Sequence, residues 1–252
     1  MIIFIIPAYN EEKNIPTLLK EIECFAKNYS CRTIIVNDGS SDKTEEIATS
    51  FKNKLPVEVL THSTNKGPGE AFKTGFSYVL KEAKEEDIII TKEADNTGDD
   101  SILPVMIKKI LEGNNLVIAS CYAKDGEIIG TTFIRKALSY AANIFLRILY
   151  PHLKVKTYSS FYRAYSVKLL KKAYKNYGNN FIKEKGFIVM TEILIKLSRL
   201  KDTKIAEIPT VLKCDNRVGK SKMIVVKNIF DYLCFILKDT LDRIYKVDIN
   251  NR

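Results

Sequence analysis

Four short stretches of this 252-residue sequence carry side chains suited to gripping an anionic ligand. Pro7-Ala8-Tyr9-Asn10-Glu11 sets a flat aromatic ring beside a carboxylate. In Asn37-Asp38-Gly39-Ser40-Ser41-Asp42, the Asp38 carboxylate can accept from the ring N–H groups of uracil or guanine, with Tyr9 available for stacking. Glu93-Ala94-Asp95 places two carboxylates one residue apart on an extended segment, where they can converge on a hard divalent cation that neutralises a diphosphate. Asn65-Lys66-Gly67-Pro68-Gly69 precedes a helical pattern and could bring Lys66 near phosphates, although it is not a Walker loop. No G-x-G-x-x-G follows a strand, which argues against a dinucleotide oxidoreductase. Taken singly, each cluster is also ordinary turn and capping chemistry.

The hydrophobic pattern supplies a scaffold that would bring the clusters together. Residues 2–6 form a continuous apolar run of buried-strand length, and 12–27 repeats apolar residues at helical spacing. Residues 33–36, 57–60, 87–90 and 116–119 read as further strands. Between them 42–51, capped by Ser41 or Asp42, 70–83 and 101–111 read as helices. This alternation predicts an α/β fold with a mostly parallel sheet and helices on both faces. Ligands of such sheets bind beyond the carboxyl ends of the strands, where three of the four clusters fall.

The second half reads differently. Residues 132–150 form an apolar-rich helix studded with Arg135, Lys136 and Arg147. Shorter helices follow over 167–174 and 188–200, then a strand over 205–212. From 223 to 247 the apolar residues leave a polar stripe at Lys227, Asp231, Lys238, Asp242 and Lys246. The 132–150 helix and this last one could lie in a membrane interface with basic residues at the headgroups, or their apolar faces could complete the core.

Composition narrows the partners. Hydrophobic residues at 46% and charged residues at 28% exclude a disordered or collagen-like chain. The charge of +10 favours an anionic partner. Five cysteines without a C-x-x-C pair fit neither a zinc knuckle nor a disulfide framework, and point to a reducing cytosol. No apolar run approaches the roughly 20 residues of a membrane span. Tyr174-Lys175-Asn176-Tyr177 sits in no recognisable nucleic-acid module, so no nucleic-acid partner is expected. His62 and His152 are isolated and receive no role.

IPAYNEEKNI, VNDGSSDKT, NKGPGEAFKTGF and EAD, in this order and spacing, resemble family-2 glycosyltransferases of the GT-A fold. Later pieces resemble the dolichyl-phosphate (polyprenyl-phosphate) mannosyltransferase branch. They are Ile134-Arg135-Lys136-Ala137-Leu138-Ser139, Ser160-Phe161-Tyr162-Arg163-Ala164-Tyr165, Gly186-Phe187 leading to Glu192, and Ile208-Pro209 leading to Arg217-Val218-Gly219-Lys220-Ser221-Lys222.

The resemblance implies a GT-A domain over 1–222 with a Rossmann-like, mostly parallel sheet, followed at 223–252 by an amphipathic helix and tail packed on the domain or on a membrane interface. It implies that Pro7, Tyr9, Glu11 and Asp38, joined by Lys66, Glu93 and Asp95, bind the nucleotide sugar. Asp95 would be the principal ligand of Mg2+ or Mn2+, with Glu93 beside it. Arg135 and Ser139, one helical turn apart, match the pair that holds a lipid phosphate. Arg217, Ser221 and Lys222 match a loop that closes over the phosphates, and Asp95 and Arg217 are expected to carry catalysis. Four positions depart from the pattern: Glu93 stands where aspartate is usual, Thr97 where a carboxamide is often found, Lys156 or Thr157 for an aspartate, and Cys121 for an arginine.

The implied reaction is an inverting, metal-dependent transfer of a hexose, foremost mannose from GDP-mannose, to a polyprenyl or dolichyl phosphate on the cytoplasmic membrane face. An ionised monophosphate needs cations, here Arg135, Arg217, Lys220 and Lys222, and no general base. Many relatives carry a transmembrane segment after this domain, so the resemblance leaves open an anchoring subunit or anchoring by the interface helices. Two alternatives stand beside this reading. One is transfer from a UDP- or GDP-sugar to a glycan hydroxyl, with Glu192 as base. The other is a nucleotide-sugar-binding module without turnover.

Overall fold

The computed structural model describes residues 1–219 and 221–250, the side chains of 243–250 excepted, so Lys220 and the Lys246 side chain lie outside the described residues. The first half alternates β1 (Ile2–Ala8), α1 (Ile15–Ala26), β2 (Cys31–Asn37), α2 (Thr44–Ser50), β3 (Val57–Thr61), α3 (Pro68–Val79), β4 (Ile88–Thr91), α4 (Leu103–Leu111) and β5 (Leu116–Ser120). The second half runs β6 (Glu127–Ile129), α5 (Phe133–Leu149), β7 (Arg163–Ser166), α6 (Val167–Tyr177), α7 (Val189–Ser198), β8 (Ile205–Pro209), β9 (Val211–Lys213) and α8 (Val225–Asn250).

Seven strands form the central sheet in the order β3-β2-β1-β4-β7-β5-β8, and β7 alone of these runs antiparallel to its neighbours. The uninterrupted apolar run of β1 follows from its position. Alternate strand residues face opposite ways, so a strand covered on both sides needs apolar side chains throughout. Ile3 and Ile5 pack with Phe72 and Phe76 of α3, together with residues of α6 and α7. Ile2, Phe4 and Ile6 pack with Leu18, Leu19 and Ile22 of α1 and with residues of α4. At about 1.5–3 kcal/mol for each fully buried large apolar side chain, these two layers dominate the stability of the sheet.

The order β2-β1-β4 puts a topological switch point between β1 and β4: the chain leaves β1 toward β2 and returns on the other side. The carboxyl ends of three adjacent parallel strands, which carry the segments at Pro7, Asp38 and Glu93, thus open on one crevice.

Beyond shifts at helix ends, such as α3 closing at Val79 rather than at 83, the structure differs from the sequence-based expectation in its strands and in the start of α2. Neither β6 nor β7 was expected. β7 is four residues long with a fully buried arginine, Arg163, whose guanidinium donates to the Met190 and Tyr158 carbonyls at 2.8 and 2.7 Å. The 205–212 strand breaks at Thr210, whose amide donates to Ser120 (3.1 Å); Pro209 ends β8, and the chain turns away to pair β9 with β6. Helix α2 begins at Thr44 rather than at 42, and Asp42 accepts from the Thr44 amide and hydroxyl.

The apolar face of α5 does not complete the core. Asn143 and Leu146 are its only buried residues, while Phe133, Ile134 and Ile148 are 84%, 70% and 71% exposed. Helix α8 is intermediate. It sends Phe235 into the core, and its Asp239 accepts from Tyr150 Oη and Arg199 Nη2, yet Val226, Phe230 and Leu237 remain exposed. Among the described residues no helix is long and apolar enough to cross a membrane.

Candidate active site

A cavity of about 470 Å³ opens at the switch point. Ten of the residues singled out from the sequence line it: Pro7, Tyr9, Glu11, Asp38, Lys66, Glu93, Asp95, Arg217, Ser221 and Lys222. Arg135 and Ser139 do not; both lie on α5, outside this lining. Phe161, the 185–187 segment and the first turns of α8 complete the walls.

Asp95 sits in the loop after β4 with 5% exposure. One oxygen accepts from the Thr97 amide (3.1 Å) and hydroxyl (2.7 Å), and the other takes a forked contact from Arg217, whose Nε lies 2.7 Å away. Thr97, which stands where the family often has a carboxamide, therefore serves Asp95 directly. Burial and the adjacent Asp95 charge push the Glu93 carboxyl up to about 8. Burial opposes the Arg217 charge, but Asp95 and Glu93 outweigh it and hold the guanidinium above its ordinary value.

The segment carrying Arg217 is pinned across the crevice. Asn14 accepts from the Val218 amide (2.9 Å) and donates to its carbonyl (3.1 Å). Lys222 pairs with Glu11 and donates to the Asn10 carbonyl at 2.8 Å. Glu11 also accepts from Asn14 at 2.6 Å. A stretch some 200 residues downstream is thereby tied to the loops after β1 and β4.

Asp38 is 3% exposed, and its carboxylate is heavily engaged. Oδ1 lies 2.7 Å from His62 Nδ1 and accepts from the Lys66 amide (3.0 Å); Oδ2 accepts from the Gly67 amide (2.8 Å). The other nitrogen of His62 lies 2.9 Å from Thr74 Oγ1. Asp38 therefore shapes the 65–67 turn that edges the cavity, and His62, isolated in sequence, holds Asp38. Gly67 (φ +91°) and Gly69 pass beneath the next segment so closely that a Cβ would meet the Lys185 and Glu184 carbonyl oxygens at 2.5 and 1.9 Å.

Glu192 does not face the chemistry. It is 1% exposed and accepts from the Lys183 and Glu184 amides and from Lys196, so it holds the 183–187 wall instead. Cys121 stands at the position of the family's arginine and brings no charge: burial pushes its thiol up to about 12, so it stays neutral at neutral pH. The sequence reading missed the parts played by Asn14 and His62; Phe161 and Phe187, named there only as motif residues, pair with ring centroids 5.8 Å apart. Asn14 lies within the first cluster's continuation and His62 directly after β3, so proximity to a strand end was the available signal.

The donor set is hard oxygen. Among the described residues no group of three or more His, Cys, Asp or Glu could hold a metal alone. Two carboxylates on a diphosphate-sized cavity fit Mg2+ or Mn2+, which bind through one or two carboxylates and take the remaining ligands from phosphate and water.

A family model described as Glycosyl transferase family 2 matches residues 3–173, more than half of the chain. The chain belongs to glycosyl transferase family 2. It is 32% identical over 251 residues to a dolichol-phosphate mannosyltransferase of Pyrococcus furiosus, a match spanning 97% of this chain and 66% of that protein. It is 30% identical over 146 residues to a dolichyl-phosphate beta-glucosyltransferase of Trichomonas vaginalis, covering 54% of this chain and 44% of that one. The chain thus spans less than two thirds of these relatives. Its fold resembles glucosyl-3-phosphoglycerate synthase from Mycobacterium tuberculosis, solved with Mn2+, UDP and phosphoglyceric acid; the TM-score is 0.64 at 21% identity, covering 92% of this chain and 75% of that one. The mostly parallel sheet of this family-2 member is therefore of the GT-A type.

Proposed function

We infer that this chain transfers a hexosyl group from a nucleoside-diphosphate sugar to a polyprenyl or dolichyl phosphate, with mannose from GDP-mannose as the favoured donor. The juxtaposition of Asp95, Glu93 and Arg217 on one cavity wall carries the reading. The curated relatives named for dolichol-phosphate mannosyl and glucosyl transfer support the acceptor class.

Pro7 and Tyr9 form the surface against which the base lies, and Asp38, through the Lys66–Gly67 turn, sets the edge that receives it. Asp95 and Glu93 would hold Mg2+ or Mn2+, which supplies charge neutralisation of the diphosphate when bound. Arg217 and Lys222, tethered by Asn14 and Glu11, stand ready for negative charge on the leaving group and the incoming phosphate. A monophosphate with its second pKa near ~6 is already ionised at neutral pH, so attack on the anomeric carbon needs positioning and no proton removal. The engagement of Glu192 by two backbone amides and Lys196 favours this acceptor over a glycan hydroxyl.

The exposed apolar faces of α5 and α8, with Arg135, Lys136 and Arg147 on α5, would rest on the membrane and deliver the lipid phosphate. Arg135 and Ser139 would meet that phosphate at the membrane side rather than inside the donor cavity. The test is transfer of label from GDP-mannose or UDP-glucose, with Mn2+, to dolichyl phosphate. Label in the organic phase supports the reading, label in an aqueous glycan supports a hydroxyl acceptor, and binding without turnover supports a binding module.

A further inference from the structure

The cavity has a wall that the nucleotide and metal roles leave unused. Lys227, Asn228 and Asp231 line it from the first turns of α8, and their spacing sets them on one helical face. The Asn228 side-chain oxygen is buried and has no hydrogen-bond partner, a cost a ligand hydroxyl would remove. The Asp231 carboxylate stands over Gly186: a Cβ at that glycine would lie 2.9 Å from Oδ2. Phe161 and Phe187 line the same cavity.

This set has a definite chemical preference. Asp231 would repel a phosphate, so the wall is unsuited to the diphosphate or the acceptor headgroup. A carboxylate, a carboxamide and an ammonium together accept from and donate to alcohol groups, and aromatic rings pack against the C–H face of a pyranose. Pockets that combine apolar walls with a few placed polar groups owe their specificity to the latter. The segment also lies outside residues 3–173, the part matched by the family model.

We propose that Lys227, Asn228 and Asp231 of α8, closing over Gly186, read the hydroxyls of the donor hexose and set which nucleotide sugar is accepted. This rests on the functional reading above, with the nucleotide held at the Tyr9–Asp38 side and the sugar projecting toward α8. A site built to hydrogen-bond a hydroxyl discriminates strongly against a sugar that presents it wrongly, because the buried polar group is then left unpaired.

The test is calorimetric titration of the full 252-residue chain with Mn2+ and four probes: GDP-mannose, UDP-glucose, GDP and UDP. For Asn228→Ala and Asp231→Asn, the Kd of the accepted nucleotide sugar should rise about 10-fold, the effect of about one hydrogen bond, while the Kd of the matching diphosphate stays within about twofold. Gly186→Ala, which displaces the Asp231 carboxylate, should reproduce the effect. Equal weakening of sugar nucleotide and diphosphate would mean a structural role and overturn the proposal, as would no change in either. Intact donor binding with lost transfer would also overturn it and make Asp231 a base. If the unaltered chain binds none of the four probes, the functional reading itself fails, an outcome distinct from these.

Discussion

Asp95 and Glu93 sit two residues apart yet face different demands. Asp95 is served by Thr97 and Arg217, whereas Glu93 is pushed up to about 8. Asp95→Ala should reduce transfer at least about 10³-fold, the scale of losing a key electrostatic group, and abolish Mn2+ binding read by electron paramagnetic resonance. Glu93 yields a prediction with a definite sign. Its ordinary value is 4.5, so between 4.5 and about 8 the folded metal-free chain keeps a proton that the unfolded chain has released. The contribution of Glu93 to stability is then full below 4.5 and is lost as pH rises through about 8. Thermal melts from pH 5 to 8 should show a decline that Glu93→Gln flattens. His62→Ala should cost about 1–3 kcal/mol in urea unfolding and raise the donor KM, because Asp38 loses a buried partner and the 65–67 turn its anchor.

At the scale of elements, the parallel strands were legible because each is a short, nearly continuous apolar run buried on both sides. β7 was not, because a strand of four residues shows no periodicity and Arg163 at its head reads as a surface residue. Its burial becomes intelligible only once the Tyr158 and Met190 carbonyls are seen beside it. The same limit hid the part played by Glu192. Helical spacing leaves its direction open, and only the folded 183–187 segment reveals two amides pointing at it. Glu192→Ala should destabilise the chain by about 2–4 kcal/mol, the cost of breaking a buried, hydrogen-bonded pair. A catalytic base would instead show lost transfer at unchanged melting temperature. The acidic and basic members of the site could be named from motifs, but Asn14 and His62 act through partners tens to hundreds of residues away that no local pattern marks.

For the whole molecule, the unequal surfaces of α5 and α8 decide how the protein meets its surroundings. Both present large apolar side chains outward on a chain of net charge +10, a pairing suited to an anionic bilayer. Phe133→Ser with Ile148→Ser should lower co-sedimentation with phosphatidylserine vesicles at least about fivefold, each lost aromatic or aliphatic anchor being worth on the order of 1 kcal/mol or more. Transfer to a short-chain, water-soluble isoprenyl phosphate should stay near the unaltered rate. Raising salt should weaken vesicle binding further, since the basic residues act through screened charge.

The seam where Gly67 and Gly69 run under the Glu184 and Lys185 carbonyls also constrains how this protein could be re-engineered. Chimeras that import the 183–187 stretch from a relative with another donor preference must bring that relative's 65–69 turn along. Two backbones in van der Waals contact leave no slack for a mismatched pair, and a graft of either alone would tilt this edge of the cavity.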